Sequence, residues 1–217
     1  MKLFRIMGKK TVKRGTVVVL VSLVILLSVL IKVILVNQKF PSQIDYSNKI
    51  AVIPIKGVIA SSNGDGGFFS SGTISSGDVV SFIEAAENDH SVKGIILNID
   101  SPGGTVVASK EIVDAVKKTK KPVVALIREV GESGAYWVAS SADLIIADPL
   151  SITGSIGVIG SYLEFSELFS KYGVTYQEMS TGEYKDLGSP YERLSEKNKK
   201  VLQGKLQIIH DYFVQDV

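Results

Sequence analysis

The chain has 217 residues, no cysteine, two histidines and a formal net charge of +2. That length holds one ordinary domain plus a short extra segment; the composition excludes disulfides, thiolate metal sites and cysteine nucleophiles, and two histidines weigh against a histidine-built metal centre. The net charge hides a segregation: from residue 37 onward there are 17 basic and 22 acidic residues, a net of −5, which argues against nucleic acid as a partner.

Residues 1–15 carry Lys2, Arg5, Lys9, Lys10, Lys13 and Arg14 and no acid. Residues 16–36, TVVVLVSLVILLSVLIKVILV, are uncharged and mostly apolar except for Lys32 near the far end. Twenty-one residues at ~1.5 Å each span roughly 31 Å, enough for a bilayer core, so this stretch is predicted to be a transmembrane helix. Lys32 reaches the interface by snorkelling. The positive flank predicts a cytoplasmic N-terminus at the cell membrane and an extracytoplasmic remainder. NQKFPSQ follows without a small-residue cleavage pattern, which favours an uncleaved anchor over a signal peptide. Residues 37–48 are polar and read as a tether, leaving 49–217 as the main domain.

AVIPIKGVIA (51–60) is a strand-like run, and SSNGDGGFFSSG (61–72) is a Gly/Ser loop carrying Phe68 and Phe69. A helix is predicted over 76–88, a buried strand at GIILNI (94–99), a helix over 106–119 and a buried strand at VVALI (123–127). GESGAYWVASSA (131–142) turns into a helix, and DLIIAD (143–148) is another apolar run. SITGSIGVIG (151–160) is β-rich and punctuated by glycine; a helix at 161–171, a short strand at 175–180 and a polar loop at 181–194 follow. An amphipathic helix starts near Ser195, with Leu202, Leu206 and Ile209 at helical spacing. Strands alternating with helices give an α/β domain with largely parallel strands.

Two turns carry chemistry. DSPGG (100–104) ends a buried strand just before a helix. Its glycines allow close backbone approach, and its N–H groups suit an oxyanion hole. As a lone pattern it is an ordinary turn, with Asp100 a turn or cap residue rather than an acid. GESGAYW also follows a buried strand and opens a helix, with Ser133 in the outline of a nucleophile elbow and Gly134 as a second donor. Alone it reads as a capped helix start. Two such turns at the carboxyl ends of successive parallel strands are where open α/β sheets place their sites.

A nucleophilic serine needs a base. His90 lies in a polar turn and His210 near the chain end, and neither stands in a segment that looks like a site. A lysine kept neutral by burial can serve instead. Most lysines fall in solvated charge runs, KKTKK (117–121) and EKNKK (196–200); Lys185 stands apart in STGEYKDLGSP, though composition alone does not select it.

Four motifs in order, DSPGG, ESGAYWVASSAD, TGSIGVIG and GEYKDLGSPYERLS, resemble the signal peptide peptidase A family over about residues 50–216. That family consists of membrane-anchored Ser–Lys peptidases of the ClpP/crotonase-like fold, a spiral of ββα units. The resemblance implies Ser133 as nucleophile, Lys185 as general base and Ser155 as the residue that orients it. It implies an oxyanion hole of N–H groups from Gly103 or Gly104 and from Gly134. It implies remnant signal peptides and other apolar unfolded peptides as substrates, no metal or cofactor, and a homo-oligomer in which neighbouring subunits share active sites.

Two features depart from the family. Glu132 stands where a small residue is usual, and a carboxylate there favours a protonated lysine unless it points to solvent. The chain ends at DYFVQDV, where the family's helix usually continues. The nearest alternative is a stomatin-partner type of membrane Ser–Lys protease. A ClpP-type Ser–His–Asp protease lacks a candidate histidine here. A crotonase-type acyl-CoA enzyme would not need Ser133 or Lys185, and an inactive scaffold of the same fold finds its support in Glu132.

Overall fold

The computed structural model describes residues 14–37, 48–62 and 72–217. The basic segment before Arg14, most of the tether and Phe68 and Phe69 lie outside the described residues. The chain divides into two units, Met1–Asp45 and Tyr46–Val217. The first contains helix α1 (Arg14–Asn37), 24 residues long. Its side chains are described without a break only over residues 18–33, all exposed within their own unit. Among the described residues no helix is long and apolar enough to cross a membrane; that run is shorter than the ~20 residues a bilayer core requires.

The second unit is α/β. Its elements are β1 (Lys49–Lys56), β2 (Val58–Ala60), β3 (Thr73–Ser75), α2 (Ser76–Asn88), β4 (Val92–Ser101), α3 (Val106–Lys118), β5 (Val123–Glu132), α4 (Gly134–Ser140), β6 (Leu144–Ala147), β7 (Ile152–Gly154), α5 (Ser166–Lys171) and α6 (Glu196–Asp216). The main sheet runs β1-β4-β5-β6, all parallel, and β7 also pairs with β5. Parallel neighbours need long crossovers, which α2 and α3 supply.

β4 and β5 are inner strands, which explains their dense β-branched and apolar runs. Ile53, Leu97 and Ala125 fall in register across three strands, as do Ile55, Ile99 and Ile127, and all six are buried. Val79, Ile83 and Ala86 of α2 and Ala108, Ile112, Val113 and Val116 of α3 recur at helical spacing and close the core.

Three irregularities shape the end of the sheet where the strands finish. AVIPIKGVIA is one apolar run but two strands: Gly57, at φ 79°, turns the chain out of the main sheet, and β2 pairs with β3 instead. A Cβ at Gly57 would lie 1.7 Å from the Gly72 carbonyl oxygen. β5 bulges beyond Ile127, since Ile99 faces Ile127 but Ser101 faces Gly131. There the Asp100 carboxylate accepts from the Val130 N–H at 3.3 Å, standing in for a missing ladder acceptor. β5 also changes partner: its first half pairs with β6 and its last three residues with β7.

Helices over 76–88 and 106–118 and the start of α6 match the sequence pattern; the Ser195 hydroxyl caps α6 by accepting from the Asn198 N–H. The 175–180 segment is not a strand and pairs with no other, the predicted helix at 161–171 shrinks to α5, and the β-rich 151–160 run keeps only β7. A strand is stable only when its backbone groups find a ladder. In 175–180 the hold comes instead from Tyr176, whose ring lies 4.9 Å from that of Tyr191.

Candidate active site

Ser133 sits between the end of β5 and the start of α4, at φ 50° and ψ −124°. A non-glycine residue there costs on the order of 1–3 kcal/mol and persists only if its surroundings over-determine it. They do: the Ser133 N–H donates to the Gly154 carbonyl of β7 at 2.8 Å, and its carbonyl accepts from the Trp137 N–H at 3.0 Å. The strand partner thus pins one side of the elbow and the first helical turn pins the other. The Ser133 hydroxyl caps nothing.

Around it opens a cavity of about 550 Å³. Its polar rim includes Ser133, Ser155, Gly104 and Gly134, and its apolar wall includes Trp137, Ile156, Ile159, Ile209 and Phe213. Ser155 is exposed, at φ 54°, and follows Gly154 at φ 83°. Two consecutive left-handed residues turn the chain from β7 back across the cavity mouth.

The DSPGG turn is seated on β2. The Ile59 N–H donates to the Gly103 carbonyl, and the Thr105 N–H donates to the Ile59 carbonyl, both at 2.9 Å. This seat leaves no room for side chains: a Cβ at Gly104 would lie 1.9 Å from the Ile59 oxygen, and one at Gly103 would lie 2.7 Å from the Gly134 nitrogen. The turn and the elbow are therefore in backbone contact. The Gly103 N–H is already spent, donating to the buried Ser101 hydroxyl at 3.1 Å. Of the two glycines put forward as donors, Gly104 retains the available N–H, and Gly103 serves as the spacer that lets the turns touch. Gly134 opens α4, so its N–H has no intrahelical partner.

Several supporting residues gave no sequence signal. Ser109, 1 % exposed, donates its hydroxyl to the Thr105 carbonyl and lies directly under Gly134, where a Cβ would meet its oxygen at 2.1 Å. Ser101 and Ile59 are invisible for the same reason: their roles depend on contacts between distant segments. Trp137 is buried and also lines the cavity.

Neither His90 nor His210 lines the cavity, and neither does Glu132. Lys185 does not line it either. It is exposed in a turn, where its N–H donates to the Gly182 carbonyl at 3.2 Å. Tyr184 is an exposed loop aromatic beneath Lys197, whose Nζ stands 5.6 Å from the ring centre. A single chain thus assembles a hydroxyl, two backbone donors and an apolar wall, and leaves the expected lysine outside. Among the described residues no cluster of side chains could hold a metal ion. The arrangement suits acyl transfer through a serine once a base is brought to it.

Residues 115–217 match Peptidase family S49, and residues 71–147 match Clp protease. A Methanocaldococcus jannaschii protein named as a protease is 37% identical over 63% of this chain and 44% of its own length. An Enterococcus faecium protein named as a signal peptide peptidase is 34% identical over 79% of this chain and 50% of its own. Protease 4 of Haemophilus influenzae is 34% identical over 78% of this chain and 27% of its own. The chain spans half or less of the length of these relatives. A solved membrane-bound stomatin-specific protease bound to a substrate peptide is similar at 26% identity and a TM-score of 0.44, over 54% of this chain and 48% of that one.

Proposed function

We propose that this chain is a membrane-anchored serine endopeptidase that cleaves remnant signal peptides and other apolar, unfolded peptides through a Ser–Lys dyad. The carrying observation is the strained Ser133 elbow, which opens on the cavity between the Gly104 and Gly134 backbone. The match of residues 115–217 to Peptidase family S49 supports the reaction class. The apolar wall of Trp137, Ile209 and Phe213 suits an apolar substrate side chain.

In this mechanism Ser133 attacks the scissile carbonyl. The oxyanion accepts hydrogen bonds from the Gly104 and Gly134 N–H groups. Lys185 takes the serine proton and returns it to the leaving amine, with Ser155 orienting it. Water then clears the acyl-enzyme. A lysine acts as a base only where burial keeps it neutral. In one chain Lys185 is exposed, so a second copy that covers it and brings it to a neighbour's Ser133 completes the site. The broad exposed apolar surface of residues 144–179 supports such an assembly: Leu150, Ile159, Leu163 and Met179 are 73–100% exposed. The two small parallel sheets and their crossover helices fit a ClpP/crotonase-like spiral of ββα units.

α1 serves as the membrane anchor in this reading. Its 24 residues reach about 36 Å, and its basic flank keeps the N-terminus cytoplasmic. The absence of native cysteine makes topology testable. A lone cysteine from Lys199→Cys is expected to react with an impermeant maleimide on intact spheroplasts. Reaction only after lysis contradicts the orientation. For the chemistry, a fluorophosphonate probe is expected to attach at Ser133, read by peptide mass spectrometry. Attachment elsewhere, or none on folded protein, contradicts the assignment.

A further inference from the structure

α4, the helix that carries Ser133 at its N-cap, has only seven residues. A helix this short has no stability of its own and takes its position from what packs on it. Its centre is Trp137, 3% exposed, whose backbone N–H closes the first turn on the Ser133 carbonyl. The Trp137 ring stacks on Phe213 of α6, with centroids 5.0 Å apart and planes 18° apart. A buried indole N–H needs an acceptor, and here it donates to Asp216 Oδ2 at 2.8 Å. The other carboxylate oxygen, Oδ1, pairs with Lys117 Nζ at 2.5 Å, and Lys117 belongs to α3. One carboxylate near the end of α6 thus ties the last turn of α3 to the middle of the nucleophile helix. Both of its oxygens are engaged, and its side chain is only 20% exposed.

We propose that Asp216 is a positioning residue: its carboxylate, held between Lys117 and the Trp137 indole, locks α4 in place and thereby keeps Ser133 in its strained, cavity-facing conformation. Strain of this kind relaxes when its surroundings loosen, so the lock acts on the nucleophile's geometry more than on peptide binding. The catalytic consequence rests on Ser133 being the nucleophile; the lock itself does not.

The test compares the full chain with Asp216→Ala and Asp216→Asn. Three quantities are read: emission of Trp137, the only tryptophan; amide exchange of residues 134–140; and the rate of fluorophosphonate attachment at Ser133, beside kcat and KM on a peptide substrate. For Asp216→Ala we expect a red-shifted emission and amide exchange faster by about tenfold, the scale of one charge-assisted hydrogen bond. Attachment and kcat fall by a similar factor, while KM stays within about twofold. Asp216→Asn still accepts the indole N–H through its amide oxygen but loses the ion pair. It restores most of the emission and falls between the other two, and it carries the test if the alanine variant does not fold. Unchanged exchange and emission in either variant, with wild-type melting and oligomer size, overturn the lock. Faster exchange with unchanged attachment and kcat overturns its role in positioning Ser133. If the wild type neither cleaves nor attaches the probe, the peptidase reading fails, and exchange and emission alone decide the lock.

Discussion

A serine held at φ 50° survives because three backbone neighbours fix it: Gly154 of β7, Trp137 of α4 and the DSPGG turn against which the elbow rests. The DSPGG turn rests in its own right on β2, where a Cβ at Gly104 would lie 1.9 Å from the Ile59 carbonyl oxygen. Gly104→Ala is expected to cost roughly 1–3 kcal/mol through overpacking, seen as a lower urea midpoint. An unchanged midpoint would show that the turn is not seated on β2. Asp216 gives a second residue-scale prediction. Burial pushes its carboxyl up, but hydrogen bonds from Lys117 and Trp137 and the charges of Lys117 and Lys110 outweigh this and hold it below the ordinary carboxylate value. A carboxyl depressed in the folded state stabilises fully above its unfolded value and loses that contribution as pH falls through the folded one. The gap in urea midpoint between wild type and Asp216→Asn should therefore be full at neutral pH and close below about pH 4. A gap that persists in acid would mean the carboxylate is not the source. At this scale the motifs pick out residues that line the cavity but not what supports them. Ser133, Ser155, Gly104 and Gly134 line one cavity, whereas Gly103 and Lys185, drawn from the same set of motifs, do not. That Ser101 occupies the Gly103 N–H, or that Asp216 reaches across 79 residues to Trp137, follows only from packing.

Among the elements, α6 has the widest reach relative to what its pattern promised. Its apolar spacing predicted an amphipathic helix, and its Ser195 cap predicted where it starts. Nothing in that pattern says that Phe213 is buried against Trp137 of α4, or that Ile209 and Phe213 form a cavity wall. Phe213→Ala should cost about 3–5 kcal/mol, as large-to-small core changes do, measured by denaturant unfolding. A loss below about 1 kcal/mol would mean α6 is not docked there. The inner strands were legible because burial on both faces leaves continuous apolar runs. Where elements took shorter forms, at 151–180, local propensity had no neighbour in the chain to satisfy it.

For the molecule as a whole, the same 144–179 segment carries many of the exposed apolar side chains of the second unit. Clustered exposed apolar side chains mark interfaces. The account expects the full chain in detergent to elute as a defined oligomer by light scattering. Leu163→Asp combined with Met179→Asp should shift it toward monomer and abolish hydrolysis, since Lys185 then stays in water. An active monomer would contradict the shared site. The most direct measurement is hydrolysis of a fluorogenic signal-peptide-like substrate by wild type, Ser133→Ala, Lys185→Ala and a co-assembled mixture of the two variants, each checked for folding and oligomer size. The account predicts cleavage by wild type and a loss of at least about 10²–10⁴-fold in each variant, the scale of a missing general base. It also predicts partial recovery in the mixture, where one copy's Ser133 meets another's Lys185. Near-normal rates for Lys185→Ala would contradict the dyad, and a folded, oligomeric wild type that cleaves nothing would contradict the peptidase itself.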